Sequence, residues 1–502
     1  TSTWEADVNP AFPSPSTPAS PPTSANSILV QVRSGHTVTA TAAVTAFEVS
    51  VDGTLENGTG GTITATGGIT FNANSTYSHN RDGGAIPGAT WATSSNCLIK
   101  GAVSTVTITG FSGQTFGKFT WNSPSQTAAV SLGAVAATTI NGDFTVISTG
   151  SGSAIPTTSA VTINLNGDLV VQGGTLNLNS AATSAIYNLA GNFNQSGGTI
   201  TATSTSAQNL NFTGVNKTFT QVGTYTNNTI QPTVSLGASL TLNNNYVVAT
   251  GRAFTVNGAL YCGTNIVSGA GSFTLAGATT ATLGIGDPAG ISTSGASGNI
   301  QTTTRAFGIA ANLVYNGTTA QVTGNVLAAT WGANGTTITI DNPAGVTLSQ
   351  SLIFTAGTSA GIILKQGQLT LGAFNITIPT LGTISTPAAF SSSTMIVADG
   401  AGQLIKTFPA SAASFLYPIG DSNGSANGAE YSPVNWNFTV NATSRTLGFR
   451  VIDALHPNEI SYTTNKLSRY WPCTSNSTAA FTANFDFTYS PANDVSGTEN
   501  LL

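Results

Sequence analysis

The sequence predicts an all-β protein: a right-handed parallel β-helix of about 24 to 25 residues per coil, followed by an antiparallel, β-sandwich-like C-terminal domain. Three observations predict this fold class. Turn signals recur at a fixed spacing, short runs alternate apolar with polar residues, and the composition changes near residue 386. We expect a Pro-rich N-terminal segment and cap in residues 1–45, the β-helix in 46–385 and the second domain in 386–502.

Two rows of turn residues define the repeat. The first row has one glycine per coil, and in two coils an asparagine precedes it: Gly117, Asn141, Gly142, Asn166, Gly167 and Gly191. The second row has a pair of glycines per coil: Gly173, Gly174, Gly197 and Gly198. Equivalent glycines recur within a row once per predicted coil, and a weaker step follows at Gly214. Two rows that share one period indicate a solenoid. In the first row we expect the glycine that follows each Asn or Ala to supply the positive φ of a tight corner.

Between the corners, the coil is predicted to consist of three short strands. Val, Ile, Leu and Phe alternate there with Thr and Asn, and the Leu-x-x-Leu-x-Leu signature of a leucine-rich repeat is missing. Residues 46–385 would supply about 14 such coils. In one coil the side chains expected to point inward are Ile163, Leu165, Leu169, Val171, Leu176 and Leu178.

The two ends of the chain differ from the repeat in amino-acid composition. Residues 9–22 carry six prolines and predict an extended segment, after which strands at 28–32 and 37–40 start or cap the solenoid. Beyond residue 386, aromatic residues become frequent, and eight of the chain's charged residues fall between 421 and 469. Alternating segments such as 432–440 and 481–489 predict an antiparallel sheet. The ending at Leu502, soon after a strand, is what a truncated domain would show.

Composition narrows the possible functions. Only 6% of the residues are charged, against roughly 25% in a typical soluble domain, and the net charge is −5. Without a cluster of Lys and Arg, a nucleic-acid partner is not expected, and without 18 consecutive apolar residues neither is membrane insertion. The first residues lack the features of a signal peptide, which would be absent or removed. Cys97, Cys262 and Cys473 are too far apart for a disulfide framework or a metal knuckle and favour buried free thiols over one long-range bridge.

Several segments carry a resemblance to a known class of protein. They are Trp4 with the Pro-rich lead, 32–38, 313–324, 342–348, 415–421, 431–434 and 469–472. The sequences of these segments resemble those of secreted, adhesin-like repeat proteins on the surface of Bacteroidetes, which are typically exported by type IX secretion. The resemblance implies an extracellular or cell-surface location. The C-terminal sorting domain of such cargo is missing from this sequence.

Asp143 and Asp168 are the strongest candidates for chemistry in the repeat. They hold equivalent positions in adjacent coils, so their side chains would lie about 5 Å apart, a distance suited to a retaining glycosidase pair or to Ca²⁺. The alternative is that each is the exposed third residue of an Asn-Gly-Asp corner. A polysaccharide lyase would need further acidic and basic residues nearby, yet residues 169–286 contain no acidic residue.

Three histidines and three tryptophans are further candidates, and each of them has a structural interpretation as well as a functional one. His36, His79 and His456 lack the spacing of a metal site and favour loop positions, and calcium repeats of the GGxGxD type are missing, so no cofactor or metal is predicted. Trp91, Trp121 and Trp331 are candidate platforms for carbohydrate, although such residues more often fill a corner or cover a core edge.

The function predicted from these observations is that of a non-enzymatic extracellular structural or adhesive protein, a rigid solenoid displayed on the cell surface or assembled into a fibre. Its expected partners are other copies of itself, other cell-surface proteins, polysaccharide, or a host or neighbouring cell. A carbohydrate-active β-helix enzyme is the alternative from another class, and a phage-type tail fibre is a third.

Overall fold

The computed structural model describes residues 22–327, 330–424, 428–459 and 464–501. Outside these residues lie Trp4, the prolines before residue 22, and parts of the charge-rich segment 421–469. The chain forms two compact units, Thr1–Asn244 with Ala249–Ala253, and Asn245–Val248 with Phe254–Leu502. Within the described residues, helix is confined to Pro491–Asp494 and a 3-10 turn at Glu499–Leu501. Neither has the length and apolarity needed to cross a membrane. The predicted all-β, parallel coiled fold is confirmed.

The first unit is a stack of coils that have two strands each before residue 100 and three strands each from residue 115 to residue 226. One strand of each coil joins a parallel sheet, the first face: Thr37–Ala40, Thr54–Asn57, Thr76–His79, Asn96–Ile99, Lys118–Asn122, Phe144–Ser148, Leu169–Val171, Phe193–Gln195, Lys217–Gln221 and Ser239–Leu242. The second face contains Leu29–Val32, Ala43–Val51, Thr62–Phe71, Thr90–Trp91, Thr115–Phe116, Thr138–Ile140, Thr162–Leu165, Ile186–Leu189, Gln208–Phe212 and Ile230–Val234. The third face contains Ala129–Ala134, Ser153–Thr157, Thr175–Asn177, Thr199–Thr201 and Thr224–Thr226.

The register of these strands confirms the period read from the sequence. On the first face Phe144 pairs with Leu169, and Leu169 pairs with Phe193, so each step along this face equals one interval of the glycine rows. On the third face Thr175 pairs with Thr199. All six side chains expected to point inward from the coil at 163–178 are at most 2% exposed. Each coil therefore buries an apolar row against its neighbours, and these rows form a continuous core.

The first row of corner glycines is required for a different reason than the one predicted. Gly117, Gly142, Gly167 and Gly191 do not have a positive φ. Instead, a Cβ on Gly167 would lie 2.3 Å from the carbonyl carbon and oxygen of Gly142, and one on Gly191 would lie 2.1 Å from the oxygen of Gly167. No side chain fits where backbone stacks on backbone this closely. The column of glycines therefore sets the spacing between coils at this corner.

In the second row, one glycine of each pair has a positive φ. Gly174 and Gly198 have φ values of 69° and 63°, the left-handed region that L side chains rarely adopt. Gly173 and Gly197 do not, and a Cβ there would lie 2.6 and 2.4 Å from backbone oxygens of the preceding coil. Each Gly-Gly pair thus combines one residue for the turn with one for close stacking.

Parallel pairing in the first unit starts near its N-terminus. Leu29–Val32 pairs with residues 48–51 of the second face, and Thr37–Ala40 pairs with Thr54–Asn57 of the first face. The strands predicted at 28–32 and 37–40 are therefore present, and each pairs as a coil strand does.

The second unit begins with further parallel strands. They are Tyr246–Val247, Ala253–Val256, Ala259–Tyr261, Val267–Leu275, Thr282–Ile285, Ile300–Phe307, Asn312–Tyr315, Gln321–Val322, Thr337–Asp341, Val346–Thr347, Leu352–Ile353, Gly361–Gln366, Leu369–Thr370, Ile376–Ile378, Ile384–Ser385, Ile396–Val397, Leu404–Phe408 and Ile419–Gly424. Coils of three strands return from residue 337 onward. Parallel pairing extends past residue 386, since Ile396–Val397 pairs with Ile419 and Gly420.

Antiparallel strands complete the second unit, as predicted for the C-terminal part. They are Ala413–Tyr417, Gly428–Tyr431, Val434–Asn441, Arg445–Phe449, Lys466–Leu467, Cys473–Ser475, Phe481–Phe487 and Val495–Ser496. Leu404–Phe408 pairs in parallel with Ile376–Ile378 on one side and antiparallel with Arg445–Phe449 on the other. This one strand therefore links the parallel coils to the antiparallel sheets.

Aromatic side chains fill the space between two of these antiparallel sheets. Phe408 contacts Phe438 with ring centroids 4.9 Å apart, and Tyr417 contacts Phe449 at 4.8 Å. Trp436 also packs against Phe449. Each of these pairs joins a strand of one sheet to a strand of the other, an arrangement typical of a sandwich.

Candidate functional site

The three tryptophans predicted as carbohydrate platforms lie in the interior. Trp121 and Trp331 are at most 1% exposed, and Trp91 is 6% exposed. Trp91 stacks on Phe71 with centroids 4.3 Å apart, and the indole N–H of Trp121 donates to Gln126 Oε1 at 2.8 Å. A ring buried in this way has no face open to a sugar. The platform interpretation is therefore wrong for these residues, which fill the core.

Asp143 and Asp168 hold successive coils together. Asp143 Oδ1 accepts a hydrogen bond from the backbone N–H of Asp168 at 3.0 Å. Asp168 Oδ1 in turn accepts from the backbone N–H of Asn192 at 2.7 Å, and Asn192 Oδ1 accepts from that of Thr218 at 3.0 Å. The three side chains thus form one ladder, each binding the equivalent segment of the next coil. This arrangement supports the corner interpretation of the pair, although both side chains are half-buried and not exposed as that interpretation expected.

A second polar ladder runs along the outer side of the second face. The side-chain amide of Asn188 donates to Asn164 Oδ1 at 2.9 Å, and that of Asn211 donates to Asn188 Oδ1 at 3.0 Å. At the glycine corner, Asn166 Nδ2 donates to Asn141 Oδ1 at 2.9 Å. Because each amide offers both a donor and an acceptor, the pattern can continue from coil to coil without charge.

The three histidines occupy different environments. His36 and His456 are exposed, whereas His79 is fully buried. His79 Nε2 lies 2.9 Å from the carbonyl oxygen of Gly83, to which it donates, so Nδ1 is left to accept from the Tyr77 hydroxyl at 3.0 Å. Burial is the main cause that lowers the pKa of His79 to about 4. His79 therefore stays neutral and structural.

The nearby Asp82 anchors a loop. Its carboxylate accepts from the backbone N–H groups of Val103 and Thr105 at 2.9 and 3.0 Å. Burial opposes its ionisation, but these hydrogen bonds outweigh burial and lower the pKa of Asp82. Residues 79–82 thus have a structural role, and the loop position predicted for His79 is wrong because His79 ends the buried strand Thr76–His79.

All three cysteines are free thiols. Cys97 and Cys262 are buried, as predicted, and burial raises the pKa of both. The prediction is wrong for Cys473, which is exposed because it begins the outermost strand of a mixed sheet.

The densest group of charges lies in the antiparallel part of the second unit. We call it the Arg469 cluster, and it consists of Asp421, Glu430, Asp453, Arg469 and Asp494. The fold brings these residues together from separate elements. Asp421 and Glu430 pair across an antiparallel hairpin, Asp453 and Arg469 flank the bridge between Ile452 and Tyr470, and Asp494 ends the short helix.

Arg469 lies at the centre of the cluster with a fully buried side chain. Its Nε donates to Asp494 Oδ2 at 2.9 Å, Nη1 donates to Asp421 Oδ2, and Nη2 donates to Glu430 Oε2. Asp453 Oδ1 is 3.7 Å from Nη2. The four carboxylates are between 1% and 12% exposed.

The electrostatics of the cluster follow from burial and from this pairing. Burial disfavours the charged form of Arg469, but the hydrogen bonds to Asp494 and Asp421 outweigh it and raise its pKa. For Asp421 burial prevails over the Arg469 contact, and its pKa is raised. One guanidinium therefore serves more carboxylates than it can neutralise.

Sequence reasoning did not identify this cluster. Its members span residues 421–494 without a repeated spacing, so no motif marks them. One signal was visible: eight charged residues between 421 and 469 in a chain with only 6% charged residues.

Comparison with known proteins does not assign this chain to a family. No family model, no curated protein and no solved structure matches it.

Proposed function

We propose that this chain is a non-enzymatic extracellular structural protein with an adhesive surface, displayed on a bacterial cell or assembled into a surface fibre. The observation that carries the proposal is the use of polar side chains in the first unit. Asp143, Asp168 and the Asn164–Asn188–Asn211 ladder bond to equivalent positions one coil away. Groups used in this way stabilise the stack.

The mechanism we propose is mechanical. Separating two coils requires breaking the backbone hydrogen bonds of three parallel strands together with the polar ladders outside them. Buried amides add to this at the corners, where Gln126 Nε2 donates to the carbonyl oxygens of Ala128 and Ser153, both at 2.8 Å. Because each coil contacts only its neighbours, load would be shared coil by coil.

The adhesive surface we propose is the third face of the first unit. Thr199 pairs with Thr224, and Thr201 pairs with Thr226, so hydroxyl-bearing residues recur at equivalent positions of adjacent strands. Thr224 and Thr226 are exposed. Hydroxyl groups can donate and accept hydrogen bonds to polysaccharide, or to the same face of another copy, without relying on charge.

An adhesion assay tests the proposal. Beads carrying the full chain are offered a panel of cell-surface polysaccharides and a second preparation of the chain, at low and high salt. We expect binding that persists at high salt and is weakened when Thr199 and Thr224 are replaced by lysine. The matched control is Thr241→Lys on the first face, which should bind as the wild type does. Failure to bind either partner would contradict the adhesive role.

The enzymatic alternative is tested in the same samples by assaying released reducing ends and unsaturated uronides. We expect no product from any polysaccharide. Product release that is abolished in the double variant D143N/D168N would replace this proposal with the carbohydrate-active one. The asparagine side chains keep an acceptor oxygen for the ladder, so the variant should fold.

A further inference from the structure

The Arg469 cluster contains more buried negative charge than its arginine balances. Four carboxylates surround one guanidinium, which gives a formal charge of −3. Asp494 and Asp421 are 1% and 2% exposed, so water cannot solvate them as it does a surface carboxylate. Leaving charge uncompensated in such a place is costly, and proteins usually neutralise it with a partner or a metal ion.

Two carboxylate oxygens of the cluster are buried without a hydrogen-bond partner. Arg469 uses Oδ2 of Asp494 and Oδ2 of Asp421, and the backbone N–H of Ser490 also donates to Asp494 Oδ2 at 2.8 Å. The other oxygen of each group, Asp494 Oδ1 and Asp421 Oδ1, is buried without a hydrogen-bond partner. Unpartnered buried carboxylate oxygens are rare in folded proteins and call for an explanation.

The distances in the cluster suit a cation. Glu430, Asp453 and Asp494 each offer one carboxylate oxygen, and these three atoms all lie within 4.8 Å of one another. Ca²⁺ binds oxygens at about 2.3 to 2.6 Å, so two of its ligands lie up to about 5 Å apart. The donors are all carboxylate oxygens. These ligands suit a hard cation such as Ca²⁺ better than they suit zinc or copper.

We propose that Glu430, Asp453 and Asp494 bind a Ca²⁺ ion, with Asp421 completing the negative environment and Arg469 fixing the orientation of the carboxylates. Ca²⁺ suits this site better than Mg²⁺ does, because it tolerates irregular geometry and a full set of protein oxygens, whereas Mg²⁺ demands a near-ideal octahedron and retains water. The bound ion reduces the formal charge of the cluster from −3 to −1.

The site would act as a clamp on the antiparallel part. Its three ligands come from the strand Gly428–Tyr431, the segment after Ile452, and the helix Pro491–Asp494. Ser468 already donates its backbone N–H to the carbonyl oxygen of Asp494 at 2.8 Å, so the helix is held beside Arg469. A cation shared by all three segments stabilises only the conformation in which they meet.

Calcium binding to the full chain tests the site directly. After treatment with a chelator and desalting, isothermal titration with CaCl₂ should show one equivalent bound, with a dissociation constant of roughly 10⁻⁴ to 10⁻³ M if the site resembles extracellular calcium modules. MgCl₂ should bind at least about tenfold more weakly. No saturable Ca²⁺ binding, or equal binding of both ions, would overturn the proposal.

Thermal unfolding provides a second readout. At a Ca²⁺ concentration about 100 times the dissociation constant, we expect the midpoint of the second unit to rise by roughly 5 to 10 °C relative to chelator. If protons neutralise the cluster instead of an ion, the midpoint will not respond to Ca²⁺, which would also overturn the proposal.

Two isosteric variants show whether binding occurs at this site. D453N removes the negative charge of a ligand whose contact with Arg469 is long, and E430Q removes that of another, so at least one should fold with the wild-type circular dichroism spectrum. Either variant should lose the Ca²⁺-dependent shift. D486N, an exposed aspartate on Phe481–Phe487, is the matched control and should keep it. An unchanged shift in a folded D453N or E430Q protein would show that the ion binds elsewhere. The adhesion and turnover assays do not depend on this result.

Discussion

The coils of the first unit and the antiparallel end of the second handle polar groups in opposite ways. In the coils, asparagine and aspartate side chains bond to equivalent positions one coil away, and each interaction recurs. At the antiparallel end, four carboxylates from separate segments meet once around Arg469. Repetition distributes stability over many small interactions, whereas the cluster concentrates it in one place.

This difference predicts where a single substitution matters. A coil residue has equivalents above and below it, so its loss is local, whereas loss of Arg469 affects every member of its cluster. Four substitutions test whether stability is distributed over the coils and concentrated at Arg469, and they follow in order of decreasing expected cost.

Replacing Arg469 by methionine should have the largest effect. The change leaves four mostly buried carboxylates without their guanidinium, so we expect a loss of about 3 to 5 kcal/mol in the free energy of unfolding. Denaturant titration in the presence of chelator measures it. The control R450M removes an arginine with a single hydrogen bond to the carbonyl oxygen of Gly400 and should cost less than about 1.5 kcal/mol. Equal costs for the two variants would show that the cluster concentrates no stability.

Acid should destabilise the first unit through His79. Its pKa is about 4 in the folded chain against 6.5 ordinarily, so the unfolded state binds the proton more readily between these values. Protonation of His79 therefore costs no stability above about pH 6.5. As the pH drops to about 4, it lowers the free energy of unfolding by up to about 3 kcal/mol. H79Q should show a flatter profile over this window, measured by denaturant titration at each pH. The control H36Q, at an exposed histidine, should follow the wild type.

Gly167→Ala tests the glycine column. The added methyl would lie 2.3 Å from the backbone of Gly142, so neighbouring coils must separate, at a cost of about 1 to 3 kcal/mol. Gly88 is the matched control, because a Cβ there meets nothing within 4 Å and its φ is not positive. G88A should be as stable as the wild type, as measured by thermal unfolding of both variants. If G167A is equally stable, the corner is looser than the structure indicates.

Asn188→Ala should have the smallest effect of the four. It removes hydrogen bonds to Asn164 and Asn211, for a net cost of about 1 kcal/mol. Asn194, exposed on the first face, is the control, and N194A should change stability by less than about 0.5 kcal/mol. If N188A and N194A unfold at the same denaturant concentration, the amide ladder adds nothing to the stability of the coils.

Most of the solenoid was predictable from the sequence because its physics repeats. The period of the glycine rows and the inward row at 163–178 both appear in the structure. The cause assigned to the glycine column was wrong, because the pattern gives the position of a corner but not the distance between adjacent coils. The buried tryptophans were ambiguous for a similar reason, since alternation alone does not show how deep a large side chain lies.

The Arg469 cluster could not be predicted in the same way. Asp421 and Asp494 are far apart in the sequence, and only the path of the antiparallel strands brings both to Arg469. Residues that meet through tertiary folding alone leave no periodic signal. The local rise in charge near residues 421–469 indicates the region without indicating the partners.

Stretching the full chain between its termini in an optical trap tests whether the coil is the mechanical unit of this protein. The registers repeat once per coil, so each coil that opens should release roughly 80 to 95 Å of extended chain. We expect the first unit to open in a series of such steps. Release of the whole unit in one event, or in lengths unrelated to the coil, would contradict it.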